Sequence, residues 1–209
     1  MKLLHVDASP KGEKSNSRML SRYFVSQLQQ HIPAVDITYL DLAETPIDHV
    51  TGEFVKATYT PEEDRTPAMR AVLAPSDALC EQLLNADALL FAMPMYNWSM
   101  PSVFKAYIDT IIRTNLTYTF GAEGNIIGKL TRQKTLFLTT RGTDSSPGSP
   151  FAGMDALTPA LRAAFKFIGV EHPDFVNAEP MEFVNQAARA RGIARAKAEL
   201  EILALQWSV

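Results

Sequence analysis

Three short stretches hold most of the side chains with usable chemistry. "DASPKGEKSNS" places Ser9, Ser15, Asn16 and Ser17 where an apolar run gives way to a helical pattern. A helix amino terminus carries unpaired N–H groups and partial positive charge, so hydroxyls there suit a phosphate. The same serines could act only as caps. The stretch has neither Walker A spacing nor G-x-G-x-x-G. "MPMYNWSMP" sets Met95, Tyr96, Asn97 and Trp98 between Pro94 and Pro101. Flat side chains in a proline-held loop suit a planar ligand, and backbone amides there can meet its polar edge. The alternative is an aromatic plug facing the core. "TTRGTDSSPGSP" supplies Thr140, Arg141, Gly142 and Thr143. Gly142 would let the backbone approach a ring closely, unless this is an ordinary loop leaving a strand.

Other polar groups offer less. His5, His31, His49 and His172 show no metal-ligand spacing. No nucleophile–base pair is legible, so no catalytic side chain is assigned and no metal is expected. Asp41, Glu44 and Asp48 read as turn and surface residues. Cys80, the single cysteine, falls among Leu79, Leu83 and Leu84 in a helical pattern and reads as a buried structural thiol.

Elements that alternate along the chain position these stretches. Leu3–Val6 reads as a buried strand, and a helical stripe of Met19, Leu20, Phe24, Leu28 and Ile32 follows from Ser17. Residues 35–40 have strand period. Residues 45–67 are polar and irregular. Ser76–Asn85 reads as a helix capped by Ser76, and Ala88–Met93 as a strand. A helix from Pro101 carries Val103, Phe104, Tyr107, Ile108, Ile111 and Ile112 on one stripe. Residues 117–127 suggest a small hairpin. Strand 135–140, helix 156–168, a last strand at Phe175-Val176 and helix Gln186–Trp207 complete the order. This alternation implies an α/β fold, a doubly wound five-stranded parallel sheet with helices on both faces and the hairpin before strand 4. Such sheets bind ligands beyond the carboxyl ends of their strands, where all three stretches lie.

Bulk properties narrow the class. With 209 residues, 46% hydrophobic and 21% charged, residues 1–209 read as one globular domain. A net charge of −3 argues against nucleic-acid binding. No apolar run approaches a membrane span. The acidic Asp7 comes too early for a signal peptide, so a cytoplasmic location is expected.

The segments "DASPKGEKSNSRML", "YLDLAETPIDHV", "ADALLFAMPMYNWSMPSVFKAYIDTIIR", "LTYTFGAEGNIIG" and "LFLTTRGT" run in order over residues 3 to 143. Together they resemble the FMN-dependent NADH:quinone oxidoreductases, or azoreductases, of flavodoxin-like fold; "FKFIGV" is a further echo. The resemblance implies tightly bound FMN, with Ser9, Ser15, Asn16 and Ser17 on its phosphate. Met95, Tyr96, Asn97 and Trp98 would cradle the isoalloxazine, and Thr140, Arg141, Gly142 and Thr143 would border its other edge. It also implies ping-pong transfer of two electrons from NADH or NADPH to quinones and azo compounds. The enzyme would be a homodimer with its active site at the interface, and residues 45–67, with Phe54 and Tyr59, would contact the partner. Phe120, Phe151 and either Phe165 or Phe167 would line the substrate pocket, beside Asp144. Two departures stand out: Trp98 where the family often has Phe, and Thr143-Asp144-Ser145 after the Arg-Gly pair. The competing class is a flavodoxin-type electron carrier with no NAD(P)H oxidation of its own. Its usual small size and strong acidity do not match this chain, nor does the added hairpin.

Overall fold

The computed structural model describes residues 1–209. Five strands, β1 (Lys2–Asp7), β2 (Asp36–Asp41), β3 (Ala88–Pro94), β6 (Lys134–Thr140) and β7 (Asp174–Ala178), form a sheet in the order β2-β1-β3-β6-β7. Every neighbouring pair is parallel. β3 and β6 read as continuous apolar runs because helices cover both their faces. On one face lie α3 (Pro67–Asn85), α4 (Ser102–Ile111) and α5 (Leu157–Phe167); on the other, α1 (Asn16–His31) and α6 (Gln186–Trp207). Phe91 anchors the first core, stacked on Phe137 at 5.3 Å and tilted against Phe165 at 4.9 Å.

Two helices depart from the sequence reading. Residues 45–67 contain α2 (Gly52–Tyr59), capped by Thr51, and a 3-10 turn at Glu62–Asp64. So short a helix, with Ala57 its one buried residue, leaves no periodic signal. α3 begins at Pro67, capped by Thr66, and runs through Pro75, so Ser76 is interior. Pro75 and Ala71 face solvent, where water can take up the carbonyl that proline leaves without a donor. Ser76 instead donates to the Thr110 carbonyl at 2.7 Å. Cys80 is buried, and burial pushes its thiol up to about 11.

β4 (Tyr118–Phe120) and β5 (Ile126–Gly128) form the antiparallel hairpin. It docks where α5 ends: Leu130 N–H donates to the Ile168 carbonyl, and a Cβ added at Gly128 would meet Gly169 N at 2.1 Å. That anchor lies at the end of the sheet opposite the three loops at the carboxyl ends of the strands. No helix is long and apolar enough to cross a membrane.

Candidate cofactor site

The reversal of strand order falls between β1 and β3, and the crevice beyond it is where this sheet type takes ligands. Backbone bonds gather the loops there. Ala8 N–H donates to the Ala92 carbonyl at 3.0 Å and Met95 N–H to the Thr140 carbonyl at 2.8 Å.

In the first loop, Ser15 caps α1 by accepting from Arg18 N–H at 3.3 Å. Ser9, Ser15 and Ser17 are buried, with the Ser15 and Ser17 hydroxyls 3.0 Å apart. The N–H groups of Asn16 and Ser17 have no acceptor in the protein. Two aligned donors and neighbouring hydroxyls at a helix start make a receptor for anionic oxygens.

Beneath this loop lies a buried polar network that sequence reading missed. Arg18 donates from Nε and Nη2 to the Ser9 carbonyl at 3.0 and 2.7 Å. It also grips Asp41 with both terminal nitrogens. Tyr39 OH donates to Asp7 at 2.9 Å, and Ser21 OH to the same carboxylate at 3.0 Å. Asp41 is therefore not the surface turn residue its position suggested; it is a buried counter-ion. Burial works to raise its carboxyl, but hydrogen bonds from Arg18 and the Ala43 N–H hold it below the usual carboxylate range. Arg18 thus fixes the shape of the loop from behind. The only advance signal was an arginine three residues past the Ser15 cap and an Asp at the end of the next strand.

In the second loop, Tyr96 and Ser99 exchange N–H to carbonyl bonds at 2.9 and 3.0 Å. Between them Asn97 and Trp98 both have positive φ, 48° and 70°. That is a two-residue type I′ turn, normally Asn-Gly. Trp in the glycine position is strained, and the N–H groups of Asn97 and Trp98 meet no protein acceptor. Trp98 stacks on Phe151 with centroids 5.6 Å apart, and its carbonyl accepts from Ala156 N–H at 3.0 Å.

In the third loop the Arg141 side chain is occupied elsewhere. It donates to Thr139 and Thr158 hydroxyls and pairs with Asp155 at 3.0 Å, with Glu179 4.0 Å away. What the loop offers a ligand is backbone: Gly142 and Thr143 N–H have no acceptor. A Cβ at Gly142 would meet nothing closer than 3.6 Å, so protein packing alone does not require glycine there. Asp144 is exposed and accepts from the Ser146 N–H and hydroxyl, bonds that lower its carboxyl.

The aromatic residues divide. Phe151 joins Trp98 at the site. Phe165 does not: it is 1% exposed in the core against Phe91 and Phe137. Phe167 packs against Tyr118 at the hairpin. Phe120, 58% exposed, belongs to the hairpin anchored at the far end of the sheet, so it does not join Trp98 within one chain.

The whole arrangement can hold an anionic group at one end and a planar, acceptor-edged group at the other. A family model described as flavodoxin-like fold matches residues 1–203. The FMN-dependent NADH:quinone oxidoreductase of Nostoc punctiforme is 38% identical over 205 residues, covering 98% of each chain. That of Xanthomonas campestris pv. campestris is 34% identical, covering 97% of this chain and 99% of its own. Among solved structures, an azoreductase from Bacillus anthracis str. Sterne superposes with a TM-score of 0.88 at 24% identity, covering 98% of both chains. An FMN-dependent NADH-azoreductase from B. anthracis str. Ames Ancestor, in complex with FMN, gives 0.88 at 20% identity over the full length of both.

Proposed function

The chain belongs to the FMN-dependent NADH:quinone oxidoreductases of flavodoxin-like fold, and from that premise we propose which residues hold the cofactor and how turnover runs. The chain is an FMN-dependent oxidoreductase that carries two electrons from NADH to quinones, with azo compounds as a second acceptor class. The unpartnered donor pairs carry the assignment: Asn16 and Ser17 N–H suit the phosphate, and Asn97 and Trp98 N–H suit the ring's acceptor edge. The hydroxyls of Ser9, Ser15 and Ser17 add phosphate contacts. Met95 and Tyr96 flank the ring; Thr140 and Arg141 place the backbone of Gly142 and Thr143 along its other edge.

The chemistry FMN supplies when bound is two-electron exchange with NADH and then with the acceptor. The protein's own residues bind, orient and exclude water; none serves as acid, base or nucleophile. Arg18 holds Ser9, while the Trp98–Phe151 stack closes one side of the site. NADH and acceptor use the same open face in turn, the ping-pong order. Asp144 stands beside that face as an anion and disfavours sulfonated acceptors by repulsion.

The working form in this reading is a cytoplasmic homodimer with the site at the interface and residues 1–209 as one FMN-binding domain. Tyr59, 76% exposed, Val55 and Val72 offer apolar surface on α2 and α3. Phe120, remote from its own loops, then lines the partner's pocket. Heat release and chromatography of the bound cofactor test the assignment: FMN is expected, and a dominant FAD peak contradicts it.

A further inference from the structure

Three loops account for the donors, yet two residues near the start of α6 are left with charge or apolar surface that the core does not use: Phe183 in the segment joining β7 to α6, and Arg189 in the first turns of α6. Phe183 has φ 57°, in the left-handed region, and its side chain is 92% exposed. An aromatic residue strained and bare at once does nothing for the apo fold; such outliers cluster at ligand clamps. The second feature is Arg189, which donates to Asn16 Oδ1 at 3.1 Å and has no carboxylate within ion-pair distance.

The segment is fastened to both ends of the site. Met181 N–H donates to the Arg141 carbonyl at 2.8 Å, and Glu182 N–H to the Gly142 carbonyl at 2.9 Å. These bonds bring Phe183 Cε2 to 3.7 Å from where a Cβ on Gly142 would stand. Lys11 reaches Glu182 across 3.9 Å. Asn185 caps α6 by accepting from Ala188 N–H at 2.9 Å, which sets Arg189 one turn in, beside the start of α1.

Charge around the start of α1 points to the same segment. A phosphate ester carries about −1.5 to −2 at neutral pH. Of the cations around the start of α1, Arg18 is neutralised by Asp41, Arg22 by Glu13, and Lys11 reaches Glu182; in the loop itself exposed Lys14 has no carboxylate partner. Arg189 is a cation at the α1 terminus without such a partner.

Resting on the FMN reading above, we propose that residues 181–189 form a fourth cofactor-holding element, with Phe183 covering the ring beside Gly142 and Arg189 supplying positive charge to the phosphate. Both are positioning residues. Titration of the full-length apo-protein with FMN and with riboflavin, which lacks the phosphate, separates the two. Phe183→Asn, a residue that tolerates positive φ, is expected to weaken both flavins alike by about fivefold. The same change should raise the melting temperature of the apo-protein by about 2–4 °C as strain is relieved. Arg189→Gln is expected to weaken FMN about tenfold and leave riboflavin unchanged, with Arg189→Lys restoring most of the loss. Unchanged flavin affinity in Phe183→Asn, or equal loss of both flavins in Arg189→Gln, overturns the proposal. Wild-type protein that binds neither flavin, or does not prefer FMN, overturns the reading beneath it.

Discussion

At Asn97 and Trp98 the backbone adopts a conformation that costs a tryptophan on the order of 1–2 kcal/mol. The turn exposes two N–H donors and stacks the indole on Phe151. Under the proposal that the flavin ring binds against this turn, Trp98 emission should fall when FMN is titrated into apo-protein. Trp98→Gly should raise the apo melting temperature and weaken FMN, while Trp98→Phe keeps the cofactor. Unchanged affinity in the glycine variant would leave the turn without a ligand role. Asp41 makes a different case. Its folded carboxyl lies below the unfolded value near 4, so it stabilises fully above that value. The contribution is lost as pH falls through the folded value. Asp41→Asn leaves buried Arg18 facing only the more distant Asp7 carboxylate, 3.9 Å away, and should cost about 3 kcal/mol at pH 7. Its melting temperature should then vary less than wild type between pH 5 and 3. A parallel decline would place the acid sensitivity elsewhere.

The elements were legible where a residue pattern is long enough to carry a period. α6 spans Gln186–Trp207 as its pattern implies, and β3 extends one residue past its apolar run. α2 was not legible, because Ala57 is its one buried residue and capping by Thr51 leaves a signal only in three dimensions. Pro75 disguised the first half of α3, since a proline on the solvent face of a helix reads the same as a breaker. The join between β6 and α5 shows a third kind of hidden information. Asp155 caps α5 through the N–H groups of Leu157 and Thr158, both at 2.9 Å, and pairs with buried Arg141. Asp155→Ala removes a cap and leaves buried Arg141 with only the more distant Glu179 carboxylate, an expected loss of about 3 kcal/mol. Calorimetry should find a melting temperature lower by about 6–12 °C. Asp155→Asn keeps an acceptor for the cap and should lose less; equal losses would assign the whole effect to charge.

Across the molecule, the positions of the three loops beyond the carboxyl ends of the strands followed from strand–helix alternation. The side chains that hold the loops in place did not. Arg18 and Asp41 pair across 23 residues and Arg141 and Asp155 across 14, and only the packed fold brings them together. The same holds for Phe120, expected at the substrate pocket: the hairpin's anchor sets it at the other end of the sheet from its own chain's loops. If it completes a partner's pocket, light scattering at micromolar concentration should give twice the chain mass. A monomer with full activity would remove the shared site. Enzymatic turnover is read by steady-state NADH oxidation with a soluble quinone. FMN-loaded protein should consume NADH only when quinone is present, with parallel double-reciprocal lines as the quinone concentration is varied. No quinone-dependent NADH consumption, in protein that retains its FMN, would contradict the account and leave the fold with an electron carrier's role.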